Sequence, residues 1–240
     1  AAMEAKGEIR PTDSSVRTHL ATLSWPETVA WLGRRLASAL HHANARGVLH
    51  RDVKPANVLL TAEGIPKLAD FNISFSGNIS GDSPVAYFGG SLAYMSPEQL
   101  SAVHPENPIT AADLDIRSDL YSLAVVLWEL LTGSKPFDDN AGAVPAPPAA
   151  NPGSGGDRTT LQAMLDRRNA GVAAHRICAI AESTPTALRR VLLKALAPDP
   201  DDRWQRGAQF AQQLDVCLDP HARELVDPPV GSRRYKLRGW

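Results

Sequence analysis

Cysteine is almost absent. Cys178 and Cys217 are the only two in 240 residues, and their spacing matches neither a metal site nor a redox motif. That argues against a disulfide scaffold and for reduced core thiols. An excess of charge of one sign is also missing. Twenty-five Lys and Arg against 26 Asp and Glu leave a net charge of −1, so no nucleic-acid partner is expected. No apolar run reaches membrane-spanning length, the first residues lack a signal-peptide pattern, and no internal repeat is visible. What is present is an apolar content of 43%, enough to bury the core of one domain.

Helical signals dominate. Ser24-Trp25-Pro26-Glu27 reads as a capping box with Pro in the first turn. Behind it Val29, Leu32, Leu36, Leu40 and Ala43 recur at helical spacing, leaving Arg34 and Arg35 toward solvent and Gly47 as the stop. Val48-Leu49 and Val58-Leu59-Leu60 are expected as short buried strands, with a turn at Ala62-Glu63-Gly64. Leu120 to Leu131 is apolar almost all round, the pattern of a helix buried at the centre of a domain. Residues 139–157 are rich in Pro, Gly and Ala and read as a flexible insertion. Helices resume at Leu161–Leu165 and Leu188–Leu196, and a last one carries Phe210, Leu214 and Leu218.

The chemistry concentrates in His50-Arg51-Asp52-Val53-Lys54-Pro55-Ala56-Asn57. Asp52 can take a proton from an attacking hydroxyl. Lys54 can neutralise charge on a phosphoryl group in flight, and Asn57 can offer its amide oxygen to Mg²⁺ or Mn²⁺. Phosphoryl transfer asks a protein mainly for positioning and charge neutralisation, and one short loop supplies both.

This loop resembles the catalytic loop of protein kinases, H-R-D-x-x-x-x-N. Further motifs follow in the family's order. Asp70-Phe71-Asn72 is similar to the metal-binding triplet Asp-Phe-Gly. Ser96-Pro97-Glu98 stands for Ala-Pro-Glu at the end of an activation segment. Asp119-Leu120-Tyr121-Ser122-Leu123 opens the long apolar helix, and Asp199 to Trp204 contains Arg203. The Lys54-Pro55 pair points to the serine/threonine branch. The resemblance implies a mainly α (α+β) kinase-like larger lobe, with short β-hairpins around the catalytic loop. It spans residues 23–218, between a linker at 1–22 and a basic tail at 219–240.

The resemblance also implies roles. Asp52 and Lys54 are catalytic; Lys54, Asn57, Leu59 and Asp70 contact ATP; Asn57 and Asp70 are the metal ligands. His50 and Phe71 pack in an internal stack. Arg51 docks a phosphate carried by the activation segment, where Ser74, Ser76, Ser80 and Ser83 are the candidate acceptors. Ser91 replaces the family's Thr and can bridge Asp52 and Lys54. Glu98 pairs with Arg203, and Asp119 holds the catalytic-loop backbone. Asn72 in place of glycine departs from the pattern, although Asn tolerates positive φ better than most residues.

Nothing before His50 resembles the glycine-rich loop, the strand lysine or the helix glutamate of a kinase's smaller lobe. The expectation is therefore a serine/threonine kinase catalytic lobe, truncated here and nearly inactive alone, that phosphorylates protein substrates with ATP. A kinase-like interaction module is the alternative, and a small-molecule kinase a weaker third. Reduced thiols and the ATP requirement imply a cytoplasmic setting. The basic run Arg233–Arg238 reads as a solvated tail or as the approach to a membrane anchor beyond this chain. A homodimer of the longer form is a further expectation.

Overall fold

The computed structural model describes residues 15–71, 89–104, 106, 109–139, 156–181 and 184–219. A short α1 (Ser15–Leu20) precedes α2 (Trp25–Asn44), where Glu27 accepts the Ser24 backbone N–H at 2.7 Å as a capping box requires. A hairpin of β1 (Val58–Leu60) and β2 (Pro66–Leu68) follows, antiparallel with Val58 opposite Leu68. Helices then succeed one another: α3 (Pro97–Val103), α4 (Ile116–Thr132), α5 (Gly156–Asn169), α6 (Ala174–Ala181), α7 (Thr186–Ala195) and α8 (Gly207–Val216). The mainly helical architecture, with one small hairpin among the described residues, agrees with the expected class.

Helix α4 is the axis of the molecule. Asp115 caps its start by accepting the Arg117 N–H at 2.8 Å, and Gly133 ends it at φ +72°, a conformation open to glycine at little cost. Ile116 and every residue from Ser118 to Trp128 are buried. Helix α2 lies across it, and α8 packs on α2. Small residues permit that closeness. A Cβ on Gly33 would sit 2.6 Å from Leu127 Cδ1, and one on Gly207 would sit 2.7 Å from the Ala37 carbonyl oxygen. Leu36, Leu40, Leu120, Leu127, Leu192 and Phe210 share the resulting core. A second cluster joins α3 to α5 through Met95, Leu100, Val103, Leu161 and Met164.

Several expectations are corrected. On α2, Ala30, Trp31, Gly33 and Ala37 are buried, while Leu32 and Ala43 are only half-buried. Two neighbouring helices widen the contact face beyond a single stripe. Arg35 lies over the Trp31 ring at 4.3 Å, and Arg34 approaches Asp215 at 3.3 Å, so neither is simply solvated. Val48-Leu49 is not a strand. Val48 N–H bonds Ala43 O at 3.1 Å, and the His50 and Arg51 N–H groups go to Asp119 rather than to a neighbouring strand. Leu59 and Leu60 are 56% and 63% exposed rather than buried, because among the described residues no second layer covers the outer face of the hairpin.

Cys178 is exposed, and only Cys217 is a core thiol. Asp139 is fixed rather than loose: the fully buried Arg168 grips its carboxylate through two bonds of 2.7 Å each. Residues 140–155, Asn72, Ser74, Ser76, Ser80, Ser83 and the basic run 233–238 lie outside the described residues. No described helix is long and apolar enough to cross a membrane.

Candidate active site

The loop after α2 is held by side chains rather than by a sheet. Asp119, on the first turn of α4, accepts the His50 N–H at 2.8 Å and the Arg51 N–H at 2.7 Å, one on each carboxylate oxygen. Gln99 donates from Nε2 to the Arg51 carbonyl at 3.0 Å. Between these grips Arg51 adopts φ +64°, a left-handed conformation that costs a non-glycine residue about 1 kcal/mol or more. Burial pushes the Asp119 carboxyl up to about 6, against the two N–H bonds that favour its charge.

His50 organises the next turn. Its Nδ1 accepts the Asp52 N–H at 3.3 Å, which assigns the proton to Nε2, and Nε2–H donates to Ala69 O at 3.0 Å. Burial holds the ring below its ordinary pKa, consistent with a neutral imidazole. The ring lies 4.4 Å from that of Phe71. Ala69 also donates its N–H to Asn57 O at 2.9 Å. The peptide before Asp70 is thus tied to the catalytic loop on both sides.

Asp52, Lys54 and Asn57 converge. Lys54 Nζ and Asn57 Nδ2 both reach Asp52 Oδ2, at 2.8 and 3.0 Å, and Asn57 Nδ2 also donates to the Asp52 carbonyl at 2.8 Å. Asp52 Oδ1 has no hydrogen-bond partner among the described residues. The 3₁₀ turn Pro55–Asn57 brings the amide back over the loop, closed by Asn57 N–H to Lys54 O at 3.0 Å. Lys54 also donates to Ser91 Oγ at 2.8 Å. The lysine, not Ser91, is therefore the bridge.

The buried Asn57 spends its NH₂ on Asp52, which leaves Oδ1 as the free oxygen of the amide. Asp70, held at φ +55°, is exposed, and its carboxylate has no hydrogen bond or ion pair among the described residues. One neutral and one anionic oxygen ligand suit a hard cation that draws its other ligands from phosphate and water. No group of three or more His, Cys, Asp or Glu among the described residues could hold a metal instead. Leu59, expected against the nucleotide, stands on the exposed face of β1. The Arg51 guanidinium donates to Ala111 O at 3.3 Å.

Behind the site, Arg203 binds Glu98 through two bonds of 2.6 and 2.9 Å, and Ser118 donates to the same carboxylate at 2.7 Å. Burial alone would raise the Glu98 pKa; Arg203 and Ser118 outweigh it and hold the group below the usual range. The motifs quoted from the sequence do not reveal Gln99, although Ser96-x-x-Gln99 is itself a capping-box pattern. Nor do they reveal Tyr94, whose hydroxyl donates to Glu129 at 2.7 Å, or the Arg168–Asp139 pair, for which no local signal exists.

Comparison with known proteins adds the lineage. Residues 15–213 match the family model described as the protein kinase domain. A probable serine/threonine-protein kinase of Clostridium perfringens is 31% identical over 196 residues, covering 81% of this chain and 24% of that one. Serine/threonine-protein kinase PknB of Mycolicibacterium smegmatis is 34% identical over 202 residues, 80% of this chain and 26% of its own. PknF of Mycobacterium tuberculosis is 36% identical over 204 residues, 80% and 36% respectively. The chain thus spans about a quarter to a third of the relatives it matches. With a family model covering most of its length and bacterial serine/threonine-protein kinases among its relatives, the chain belongs to the protein kinase family, on its bacterial serine/threonine branch.

Proposed function

We propose that this chain is the catalytic lobe of a serine/threonine protein kinase, transferring the γ-phosphoryl group of ATP to a protein hydroxyl. The observation that carries the reading is the Asp52 carboxylate, anchored on one oxygen by Lys54 and Asn57 and open on the other. The open oxygen accepts the proton of a substrate hydroxyl as its oxygen attacks the γ-phosphorus and the bond to the ADP leaving group breaks. Lys54 holds the carboxylate in place, and its ammonium would neutralise negative charge gathering on the transferred group. Ser91 steadies that ammonium at 2.8 Å.

Asn57 Oδ1 and the Asp70 carboxylate would hold Mg²⁺ or Mn²⁺, which when bound neutralises phosphate oxygens. Leu59 offers an apolar surface to the base of the nucleotide. His50 and Phe71 set the direction of the segment carrying Asp70. Arg51 remains the candidate partner for a phosphate on residues 74–83. ATP dependence and the free thiols support a cytoplasmic setting.

The test is phosphate transfer from labelled ATP by the protein purified from its own cells, compared with an Asp52→Asn form. Loss of the base is expected to lower the rate by about 10²–10⁴-fold. A change under threefold would overturn the role given to Asp52. The 240-residue polypeptide alone is expected to transfer poorly, since nothing before His50 resembles a glycine-rich phosphate cover. Binding to partner proteins without any transfer from the native protein would favour the interaction-module reading.

A further inference from the structure

The peptide joining Arg51 to Asp52 sets the direction in which the Asp52 side chain leaves the loop. Its N–H donates to His50 Nδ1 at 3.3 Å, a contact made within the loop itself. Its carbonyl accepts from Gln99 Nε2 at 3.0 Å, on a residue 48 positions away in the chain. Asp119 grips only the two N–H groups that precede this peptide, those of His50 and Arg51. Among the described residues Gln99 is therefore the one side chain from outside the loop that holds it.

The other end of the Gln99 amide is tied as well. Oε1 accepts the Ser96 N–H at 3.2 Å and the Ser122 hydroxyl at 3.3 Å, while the Gln99 N–H donates to Ser96 Oγ at 3.3 Å. These donors assign the amide orientation: Oε1 faces hydrogens, and Nε2 is left toward a carbonyl that can only accept. Gln99 is 1% exposed, so it offers no surface to ATP or to a protein substrate.

The residue type separates two duties. A capping box needs only an acceptor at this position and takes Glu as readily as Gln. A carboxylate here would satisfy the box at Ser96 and set its second oxygen against the Arg51 carbonyl with no hydrogen between them. Only the amide serves the helix and the loop together. Arg51 also sits at φ +64°, a strained conformation that persists only where its surroundings restrain it.

We infer that Gln99 is a positioning residue for phosphoryl transfer: from the start of α3 it fixes the Arg51–Asp52 peptide and so aims the Asp52 carboxylate. The inference rests on the kinase reading proposed above. Its test compares Gln99→Glu, which keeps the capping box and loses the donor, with Gln99→Met, which loses both at similar volume. The start of a helix and the donors on Oε1 favour the ionised form of the new carboxyl. Gly33→Ala, which crowds the contact with Leu127, is the control for a merely weakened fold.

Transfer from ATP to a serine peptide by the native protein and its variants is measured at pH 8, at a temperature where circular dichroism shows all of them folded. Both Gln99 variants are expected to lower kcat by about 10–100-fold, with KM for ATP and peptide within about twofold of wild type, the scale of a slightly displaced reacting group. Gly33→Ala is expected to leave kcat unchanged. In the 240-residue chain the Asp52 amide resonance is expected to move in both Gln99 variants and to stay in place in Gly33→Ala. An unchanged kcat in Gln99→Glu, an equal loss in Gly33→Ala, a loss carried by KM, or an unmoved Asp52 resonance overturns the inference. Failure of the kinase reading looks different: the resonance moves as expected, yet the native protein shows no Asp52-dependent transfer.

Discussion

Replacing Arg203 removes a fully buried charge. Its side chain is fully buried and serves five acceptor atoms: both Glu98 oxygens at 2.6 and 2.9 Å, Ala197 O and Pro198 O at 2.7 Å, and Arg117 O at 3.3 Å. Its guanidinium also lies 4.8 Å from the centre of the Tyr121 ring. Arg203→Met keeps much of the volume and removes every donor. Glu98 is then left buried with Ser118 as its remaining side-chain donor. Breaking a buried pair from one side costs about 3–5 kcal/mol, a large part of the roughly 5–15 kcal/mol that holds a domain together. In a domain of this size that lowers Tm by about 10 °C.

The pH dependence separates this mechanism from simple loss of packing. In the wild type Glu98 has a depressed pKa, so its contribution is present above the ordinary Glu value and lost as pH falls through the folded one. In Arg203→Met, burial, the largest influence on Glu98, is opposed only by Ser118 and the backbone, and the Glu98 pKa is expected to rise above the unfolded value. Its penalty is then relieved as pH falls, and the stability gap between the two proteins narrows from pH 7 to pH 5. Urea denaturation at both values measures the gap. A loss below about 1 kcal/mol at pH 7, or a gap that is the same at pH 5, would refute the reasoning.

Two further substitutions probe the packing and the loop. Gly207→Ala is expected to cost more than Gly33→Ala, though both overpack by about 1–3 kcal/mol. The new methyl at 207 meets the Ala37 carbonyl at 2.7 Å and the α2 backbone at His41, whereas at 33 it meets the movable Leu127 tip at 2.6 Å; thermal melts of the pair check the order. Asp119→Asn replaces an acceptor of two N–H bonds by a group with one acceptor oxygen, and is expected to destabilise by about 1–3 kcal/mol at pH 7. Because burial raises the wild-type pKa to about 6, the Asp119 contribution to stability is greatest below the ordinary Asp range and is lost as pH rises through about 6. Urea melts between pH 4.5 and 7 are expected to show that slope in the wild type and a shallower one in Asp119→Asn.

The sequence carries different layers of this molecule unequally. Helix α4 is legible because burial on all sides requires apolar residues throughout, and Gly133 marks its end. The start of α2 is legible for a similar local reason, since the capping box is a four-residue pattern. The width of its buried face is not. Ala30, Gly33 and Ala37 carry almost no hydrophobic signal, yet they are where α4 and α8 come closest. Leu59 and Leu60 mislead in the opposite direction, because an apolar strand residue reads as core whether or not a second layer lies over it. Ion pairs across long separations are the least legible. Arg168 and Asp139 are joined only after α5 folds back on the loop beyond α4, and no spacing rule connects them.

Within the candidate site, residues proposed to carry the chemistry differ from residues that hold them there. Asp52, Lys54, Asn57 and Asp70 stand out by residue type and spacing, since phosphoryl transfer restricts both. What fixes them comes from one face of α4. Asp119 takes two loop N–H groups, Ser118 reaches Glu98 at 2.7 Å, and Ser122 reaches Gln99 at 3.3 Å while Gln99 holds the Arg51 carbonyl. Three residues within five positions of a buried helix therefore set the catalytic loop, the start of α3 and the Arg203 pair in a single frame. On a buried helix face each polar side chain must find a partner or cost about 1–3 kcal/mol. Each of these three finds its partner in a segment that borders the site. The core that stabilises the fold and the frame that positions the chemistry are one helix, so a substitution at Ser118 or Ser122 perturbs both together.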